Sequence, residues 1–253
     1  MIIGRNIVCA PGQTIEAEIV TTSMATAKHK DIGILLVSEE ELDLSFILQE
    51  YRSLVGRFVS FITLSLCDLA TPITDIAAFE FLTGAYYMIN DAEYRIAHQH
   101  SFTDNDISKA IIEFASFEST STDEKKLRLA AASRRFLSSL AEIDKIHQFC
   151  NLWEACEFLL TTKRQNRVGG GMVGKLSERI AQITGANEDK LRKIVTSIFV
   201  MRCNVVHNAF DQVESLHMLD DLEIICECVL RDSFGLAQYR PRIQILLDRH
   251  NII

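Results

Sequence analysis

Five segments after residue 120 carry apolar residues at intervals of three and four, a spacing that allows few architectures other than packed helices. These segments are 121–140, 143–160, 176–184, 188–206 and 216–231. A capping box at Ser121–Glu124 begins the first segment, and its core-facing stripe starts at Leu127. Gly185 and Asn208 are suited to ending the third and fourth segments. We therefore predict a mainly α protein built around a helical bundle.

The first 120 residues combine strand-like and helix-like patterns. Short alternating or apolar runs predict a small antiparallel sheet, and they lie at Ile2–Val8, Ile15–Thr22 and Ile32–Val37. A capping box at Ser38 precedes one helix, and a second helix is predicted over Ile73–Ile89. The small polar residues of Phe117–Thr122 then interrupt the pattern and mark a domain boundary.

The predicted domain organisation has three parts. They are an N-terminal α+β domain at 1–120, a helical domain at 121–235, and a C-terminal tail at 236–253 that packs as an appendage. With 3 prolines and 11 glycines, the chain has little material for long disordered linkers. The sequence leaves open whether the N-terminal domain regulates activity or senses a trigger.

The composition limits the class of protein. A length of 253 residues and a hydrophobic content of 48% support a sizeable core. The formal net charge of -8 disfavours bulk nonspecific binding to nucleic acid, but it leaves room for a local basic pocket. Seven cysteines without a C-x-x-C pair indicate buried thiols in a reducing compartment. We find neither a signal-peptide layout nor a run long enough to span a bilayer, and expect a soluble cytoplasmic protein.

Arg202 and His207 stand in an otherwise apolar segment, Phe199–Asn208. Burying a cation is costly without a partner, so this placement indicates a phosphate-handling site. Helix positions five apart lie roughly 140° apart around the axis. The two side chains therefore converge more easily if His207 lies in the last turn, or if two copies of the helix meet across a dimer axis. A helix C-terminus also favours the cationic form of the imidazole.

RNA cleavage by internal transesterification suits these two residue types. The ribose 2′-hydroxyl attacks the adjacent phosphorus, so the reaction needs neither a metal ion nor a bound water as nucleophile. Histidine accepts or donates the proton, and arginine stabilises the charge that builds on the phosphate oxygens. From spacing alone, the alternative stays open that Arg202 pairs with a carboxylate and His207 is a structural histidine.

A second pattern lies one helix upstream, where Leu152–Leu160 reads Leu-Trp-Glu-Ala-Cys-Glu-Phe-Leu-Leu. Together with Phe199–Asn208, it resembles the Apea-like group of the HEPN superfamily. In that group a helix of the type L-W-x-A-x-E-x-L precedes a glycine-bearing loop and an R-x4-H helix. The resemblance covers roughly Leu127–Phe234. It implies an all-helical bundle that forms a homodimer through the HEPN helices, with each motif near the two-fold axis.

The resemblance further implies which residues act and on what. Arg202 and His207 would be the catalytic residues of a metal-independent endoribonuclease that uses no cofactor. Glu157 would match the family glutamate, and its alternative role is the carboxylate that holds Arg202 in place. Prokaryotic relatives imply a setting in phage defence or toxin-like growth arrest, with an antitoxin or regulatory protein as a possible partner.

The motif departs from the family pattern at two positions. Active members commonly carry a polar residue directly after the arginine, where this chain has Cys203. Asn204, one place later, is a supporting candidate that a helix turns about 100° away. Many related proteins have glycine after the histidine, where this chain has Asn208. The alternative is therefore a catalytically inactive module for dimerisation or partner binding.

The loop before the fifth helix contains a weaker motif. Gly169–Lys175 fits the spacing G-x4-G-K of a phosphate loop, but Leu176 stands where magnesium binding requires Ser or Thr, and no apolar strand precedes it. We predict a flexible loop between helices. Its basic residues are candidates for an RNA-backbone patch, with a solvated surface as the alternative; they are Lys163, Arg164, Arg167 and Lys175.

The remaining polar and aromatic residues indicate no further site. The histidines lack metal-ligand spacing, so no metal site is predicted. Glu223, Glu227 and Asp232 are predicted on the exposed face of a helix. The single tryptophan, Trp153, is predicted in the core.

Overall fold

The computed structural model describes residues 2–10, 13–20, 33–36, 44–65, 75–79, 86–90, 104–160, 171–207, 216–238 and 240–252, with side chains for most helical positions from Ser53 onward. This part of the chain contains eight helices and five short strands. The helices hold most of the described residues, so the predicted mainly α fold class is confirmed.

The helices follow one another closely along the chain. They are α1 Leu44–Ser65, α2 Asp104–Thr120, α3 Asp123–Ala141, α4 Lys145–Leu160, α5 Met172–Thr184, α6 Glu188–His207, α7 Leu216–Phe234 and α8 Arg240–Arg249. The five helices predicted after residue 120 are confirmed as α3 to α7. The largest difference is at α5, which begins four residues before its predicted start. α8 lies within the predicted tail.

The strands lie in the N-terminal half of the chain. They are β1 Ile2–Ala10, β2 Gln13–Val20, β3 Gly33–Leu36, β4 Asp75–Phe79 and β5 Tyr86–Asn90. β2 pairs antiparallel with both β1 and β3, and β4 pairs antiparallel with β5. β4 and β5 occupy the stretch where Ile73–Ile89 was predicted as one helix. Short apolar runs rich in aromatic and β-branched residues fit either structure by periodicity alone.

Local signals in the sequence set two of the helix ends. The Thr122 hydroxyl accepts a hydrogen bond from the backbone N–H of Lys125 at 3.3 Å, so the N-cap of α3 is one residue later than predicted. Gly185 ends α5 with φ 73°, and its N–H donates to Ala181 O at 2.8 Å. The helix end predicted at Gly185 is confirmed, because this left-handed backbone strains any residue with a Cβ.

One hydrophobic core contains side chains from all eight helices. Phe61 of α1 joins Phe114 of α2 and Phe234 of α7, with ring centroids 5.4 and 5.5 Å apart in edge-to-face contacts. α8 contributes Ile243 and Leu246, which are buried. Helices from the predicted N-terminal domain and from the predicted tail therefore pack into the same core as α3 to α7.

Two core predictions have opposite outcomes. Trp153 is 1% exposed, which confirms its place in the core, and the cysteines Cys156, Cys226 and Cys228 are buried as expected of thiols. Leu127, predicted at the start of the core stripe, is 63% exposed. The buried stripe of α3 begins at Leu129 instead.

Candidate functional site

The helix α6 carries both residues of the Arg/His motif. Its core side is formed by Leu191, Val195 and Ile198, each at most 1% exposed. The helix runs without interruption to His207, where this described part of the chain ends. The side chain of His207 and all of Asn208 lie outside the described residues. Arg202 is half-buried.

A regular helix separates the motif positions around its axis. Arg202 and His207 are five residues apart, which corresponds to about 140°. Asn204 lies about 200° from Arg202 and about 60° from His207, so these two positions share the side of α6 opposite Arg202. The exposed Val200 belongs to that side as well. A single copy of α6 therefore brings the Asn204 and His207 positions together and leaves Arg202 on another face.

The side of α6 that includes Arg202 packs on α4. Phe199, one turn before Arg202, contacts Trp153 with ring centroids 5.8 Å apart and planes inclined at 45°. The indole Nε1 of Trp153 donates a hydrogen bond to Glu157 Oε1 at 2.7 Å. Aromatic contact and hydrogen bond together fix the α4 surface next to the arginine.

Glu157 accepts the hydrogen bond of Trp153 and takes part in a further interaction. Among the described residues, no carboxylate oxygen lies within ion-pair distance of the Arg202 guanidinium. The role expected for Glu157 as the carboxylate that holds Arg202 therefore stays a prediction. The i, i+4 spacing of Trp153 and Glu157 within α4 explains the contact, because such residues lie on one face of a helix.

Cys150 is a thiol on α4 on which Arg202 acts electrostatically. Burial raises the pKa of Cys150 first, and the negative charge of Glu154 adds to this effect, whereas the positive charge of Arg202 opposes it. The net pKa lies above the ordinary value, so the thiol is protonated at neutral pH. Cys150 is therefore a neutral neighbour of Arg202 and a poor nucleophile.

The predicted basic patch falls mostly outside the described residues. Lys163, Arg164 and Arg167 belong to 161–170, which the structure does not describe. Lys175 lies in the first turn of α5, is half-buried and takes part in an interaction, so it is not an unengaged surface cation. The other motif neighbours, Cys203 and Asn204, are half-buried, and Asn204 is also engaged.

The acidic residues of α7 are not the exposed helix face that was predicted. Glu227 is 8% exposed and binds Arg231 within α7 at 3.0 Å and Arg242 of α8 at 2.9 Å. Glu223 also binds Arg242, and Asp232 binds Arg179 of α5. Helical periodicity places these carboxylates on one side of α7. It does not predict which arginines from distant parts of the chain bind them.

Glu223, Glu227, Arg231 and Arg242 form a cluster of charged residues on α7 and α8, and both burial and charge set the pKa of Arg242. Burial lowers the pKa of Arg242, but the carboxylates of Glu223 and Glu227 outweigh it and raise the pKa above its ordinary value. Arg231 also donates to the backbone oxygens of Leu64 and Ala237. The cluster therefore ties the end of α1 to α7 and the segment that follows α7.

A second network anchors the C-terminal residues, and no sequence motif signalled it. Asp221 of α7 is 2% exposed and accepts from Arg249 and from the His250 ring, the latter at 2.6 Å. Lys190 of α6 donates to the backbone oxygen of Asn251 at 2.6 Å, and Ile252 is buried. The chain beyond α8 is thus fixed to the beginnings of α6 and α7.

A cleft of about 780 Å³ lies between α1, α2, α3 and the end of α7. Its charged lining residues are Lys109, Glu113, Lys125 and Arg231, and phenylalanines 61, 117 and 234 contribute apolar surface. None of its described lining residues belongs to the Arg/His motif. This cleft is therefore separate from the candidate site on α6.

Comparisons with known proteins add no relative. No protein-family model, no curated protein and no solved structure matches this chain. Within the described ranges, none of the helices combines the length and apolar character needed to cross a lipid bilayer. The same part of the chain contains no group of three or more His, Cys, Asp or Glu side chains arranged to hold a metal ion.

Proposed function

We propose that this protein is a metal-independent endoribonuclease of the HEPN type. The observation that carries the proposal is the setting of Arg202 on α6. Arg202 is a half-buried residue one turn from the Trp153–Phe199 contact, and no carboxylate lies within ion-pair distance of its guanidinium among the described residues. A cation held near a rigid aromatic contact and not neutralised by a carboxylate is suited to binding a phosphate group.

The proposed reaction breaks one phosphodiester bond of RNA. The 2′-hydroxyl oxygen attacks the adjacent phosphorus and loses its proton, and the bond from phosphorus to the 5′-oxygen breaks. The products are a 2′,3′-cyclic phosphate and a 5′-hydroxyl, which receives a proton. Arg202 stabilises the negative charge on the phosphate oxygens, and His207 transfers a proton at one of the two ribose oxygens.

The helix geometry favours a site shared between two copies of the chain. The Arg202 and His207 positions lie about 140° apart on one uninterrupted helix, so the two groups converge more easily across two copies than within one. In a homodimer formed through α4 and α6, the Arg202 face of one copy can lie beside the His207 face of the other. Dimerisation is therefore part of the proposed mechanism.

The test is RNA cleavage in EDTA by the full-length protein and its variants. We expect Arg202→Ala and His207→Ala each to reduce the cleavage rate by at least about 100-fold, because each removes a group that acts in the transition state. Arg179→Ala is the matched control. Arg179 is a half-exposed arginine of α5 that binds Asp232 of α7 and does not belong to the motif. Cleavage by both motif variants at the wild-type rate would overturn the proposal.

A second candidate function is a catalytically inactive HEPN module that dimerises or binds a partner protein. Cys203, which is half-buried on α6, favours it, because a thiol replaces the polar residue expected beside the arginine. This alternative predicts no RNA turnover by the wild-type protein and a lower melting temperature for Arg202→Ala. Thermal melting of the same variants beside the RNA assay separates the two functions.

The biological setting is proposed from the same resemblance. We place the protein in the cytoplasm, in phage defence or toxin-like growth arrest, with a regulatory or antitoxin protein as a possible partner. Induced expression of the wild-type protein in a bacterial host should then slow growth, and expression of Arg202→Ala should not. Equal growth of the two cultures would contradict a toxic activity that depends on this site.

A further inference from the structure

We propose that Trp153, held by Glu157, is a positioning residue for Arg202. This inference rests on the proposed ribonuclease function and adds a role for the α4 surface that faces the motif. Trp153 contacts Phe199 of α6 and donates its indole hydrogen bond to Glu157. It is proposed to act on Arg202 through the packing of α6.

The orientation of the indole is set by its burial and its hydrogen bond. Trp153 is 1% exposed, and a buried indole N–H requires an acceptor. The Glu157 carboxylate supplies it at 2.7 Å, which is the short distance of a hydrogen bond to a charged acceptor. With both the ring and its N–H engaged, the side chain is restricted to one orientation.

The contact between Trp153 and Phe199 links the orientation of the indole to the position of α6. Phe199 and Arg202 are three residues apart, so they lie about 60° apart around the helix and one turn apart along it. The Trp153 ring packs on Phe199 at 5.8 Å and thereby fixes the distance between α4 and α6 at the turn that carries Arg202. A change in the indole would move this turn and with it the guanidinium.

The charge of Arg202 acts on the same α4 surface. Cys150, which lies one turn before Trp153 on α4, is among the groups on which the positive charge of Arg202 acts. Cys150, Trp153 and Glu157 follow one another at spacings of three and four, so they form one ridge of α4. The side of α6 that carries Arg202 packs against this ridge of α4.

Trp153 is the one tryptophan of the chain, so tryptophan fluorescence emission reports on its surroundings alone. The experiment compares Glu157→Ala and Glu157→Gln with the wild-type protein by tryptophan emission, thermal melting and steady-state RNA cleavage in EDTA, and it compares Trp153→Phe by melting and cleavage. Glu157→Gln retains an oxygen acceptor for the indole N–H. Glu154→Ala is the control, since Glu154 lies on the same helix and binds Arg135 of α3.

We expect Glu157→Ala to shift the emission to longer wavelength and to lower kcat by about 10- to 100-fold with little change in KM, since a small displacement of an acting group has an effect of this size. Trp153→Phe should lower kcat in the same way. Glu157→Gln and Glu154→Ala should keep the wild-type emission and kcat. Rescue by glutamine separates positioning from a need for the negative charge.

Three outcomes would overturn the inference. They are a wild-type kcat in Glu157→Ala despite altered emission, a wild-type emission in Glu157→Ala, and a loss of kcat in Glu157→Gln equal to that in Glu157→Ala. Absence of RNA cleavage by the wild-type protein is a different result, which removes the proposed function itself. The two failures are therefore distinguished by the wild-type reaction alone.

Discussion

Arg57 of α1 and Glu118 of α2 form an ion pair that is shielded from solvent. The guanidinium donates to both carboxylate oxygens, at 2.7 and 2.9 Å, and the Glu118 side chain is fully buried. Arg57 also donates to the hydroxyl of Ser53 at 2.7 Å. Two parallel hydrogen bonds fix the geometry of a planar pair, so this contact determines how α1 lies on α2.

At this pair we predict that Glu118→Ala lowers the free energy of unfolding by about 3–5 kcal/mol, because Arg57 is left as a buried charge without its carboxylate. The double variant Arg57→Met with Glu118→Leu should recover most of that loss, since it removes both charges. Urea denaturation followed by circular dichroism measures both changes.

The control is the exposed pair Arg128–Glu124, whose atoms lie 2.6 Å apart on the surface of α3. Glu124→Ala should change the free energy of unfolding by no more than about 0.5 kcal/mol, because solvent screens exposed pairs. An equal effect of Glu118→Ala and Glu124→Ala would contradict the assignment of Arg57–Glu118 as a buried structural pair.

At the residue scale, the sequence predicted the identity of the candidate groups better than their contacts. Arg202 stands out because a cation inside an apolar segment is unusual, and that signal needs no structure. The partner of Glu157 was not predictable in the same way. Both Trp153, four residues away on the same helix, and Arg202, on another helix, were chemically reasonable, and only packing decides between them.

Gly185 shows how a single backbone angle ends an element. Its φ of 73° lies in the left-handed region, and a Cβ there would meet no other atom within 4 Å, so the strain arises in the backbone alone. Gly56, in the interior of α1, also has open space around a built Cβ and no positive φ. The two glycines therefore differ in conformation rather than in packing.

We predict that Gly185→Ala lowers the free energy of unfolding by about 1 kcal/mol, because alanine is strained in the left-handed conformation. Gly56→Ala should raise it by about 0.5–1 kcal/mol, because alanine favours a helix interior. Chemical denaturation of the two variants tests the opposite signs. A change of the same sign in both would show that the end of α5 does not depend on the glycine conformation.

At the element scale, helix ends were predictable where a local signal exists and approximate elsewhere. Gly185 has such a signal, and the predicted end agrees with the structure. Thr122 caps α3 in place of the neighbouring Ser121, because two adjacent hydroxyl residues satisfy the same pattern. β4 and β5 replace a predicted helix, since strand and helix are not distinguishable from short apolar runs.

The core of the whole molecule includes thiols whose ionisation depends on folding. Burial raises the pKa of Cys228 to about 12, with a further contribution from the charge of Glu227, while Arg231 and Arg242 act in the opposite direction. In the unfolded chain the same thiol ionises near its ordinary value of 9.0. The folded-state pKa is raised, so the stability linked to this thiol is complete below pH 9 and is lost between about pH 9 and pH 12.

We therefore predict that the free energy of unfolding of the wild-type protein falls more steeply above pH 9 than that of Cys228→Ala. The difference in slope should approach about 1.4 kcal/mol per pH unit, the value for one ionising group. Urea denaturation at pH 7 to 11 with a reductant measures it. Parallel pH profiles for the two proteins would mean that Cys228 ionises equally in both states.

At the scale of the whole molecule, the helical bundle was predictable, whereas the connections between distant parts were not. Apolar periodicity identifies which face of each helix is buried, but it does not predict which other helix that face packs against. The Arg242 contacts to Glu223 and Glu227, and the Arg231 contact to Leu64 O, join residues from 15 to 167 positions apart. Such pairs form only in the folded protein. The sequence alone therefore predicted that the α7 carboxylates lie on a solvent-exposed face.

The measurement that tests the central claim most directly uses two nucleic-acid pools of the same random sequence, one of RNA and one fully 2′-O-methylated. Both are incubated with the full-length protein in EDTA, and the ends of the products are analysed. We predict that the RNA is cut to fragments ending in 2′,3′-cyclic phosphate, that the methylated pool stays intact, and that Arg202→Ala cuts neither. Cleavage of the methylated pool, or undiminished RNA cleavage by Arg202→Ala, would contradict it.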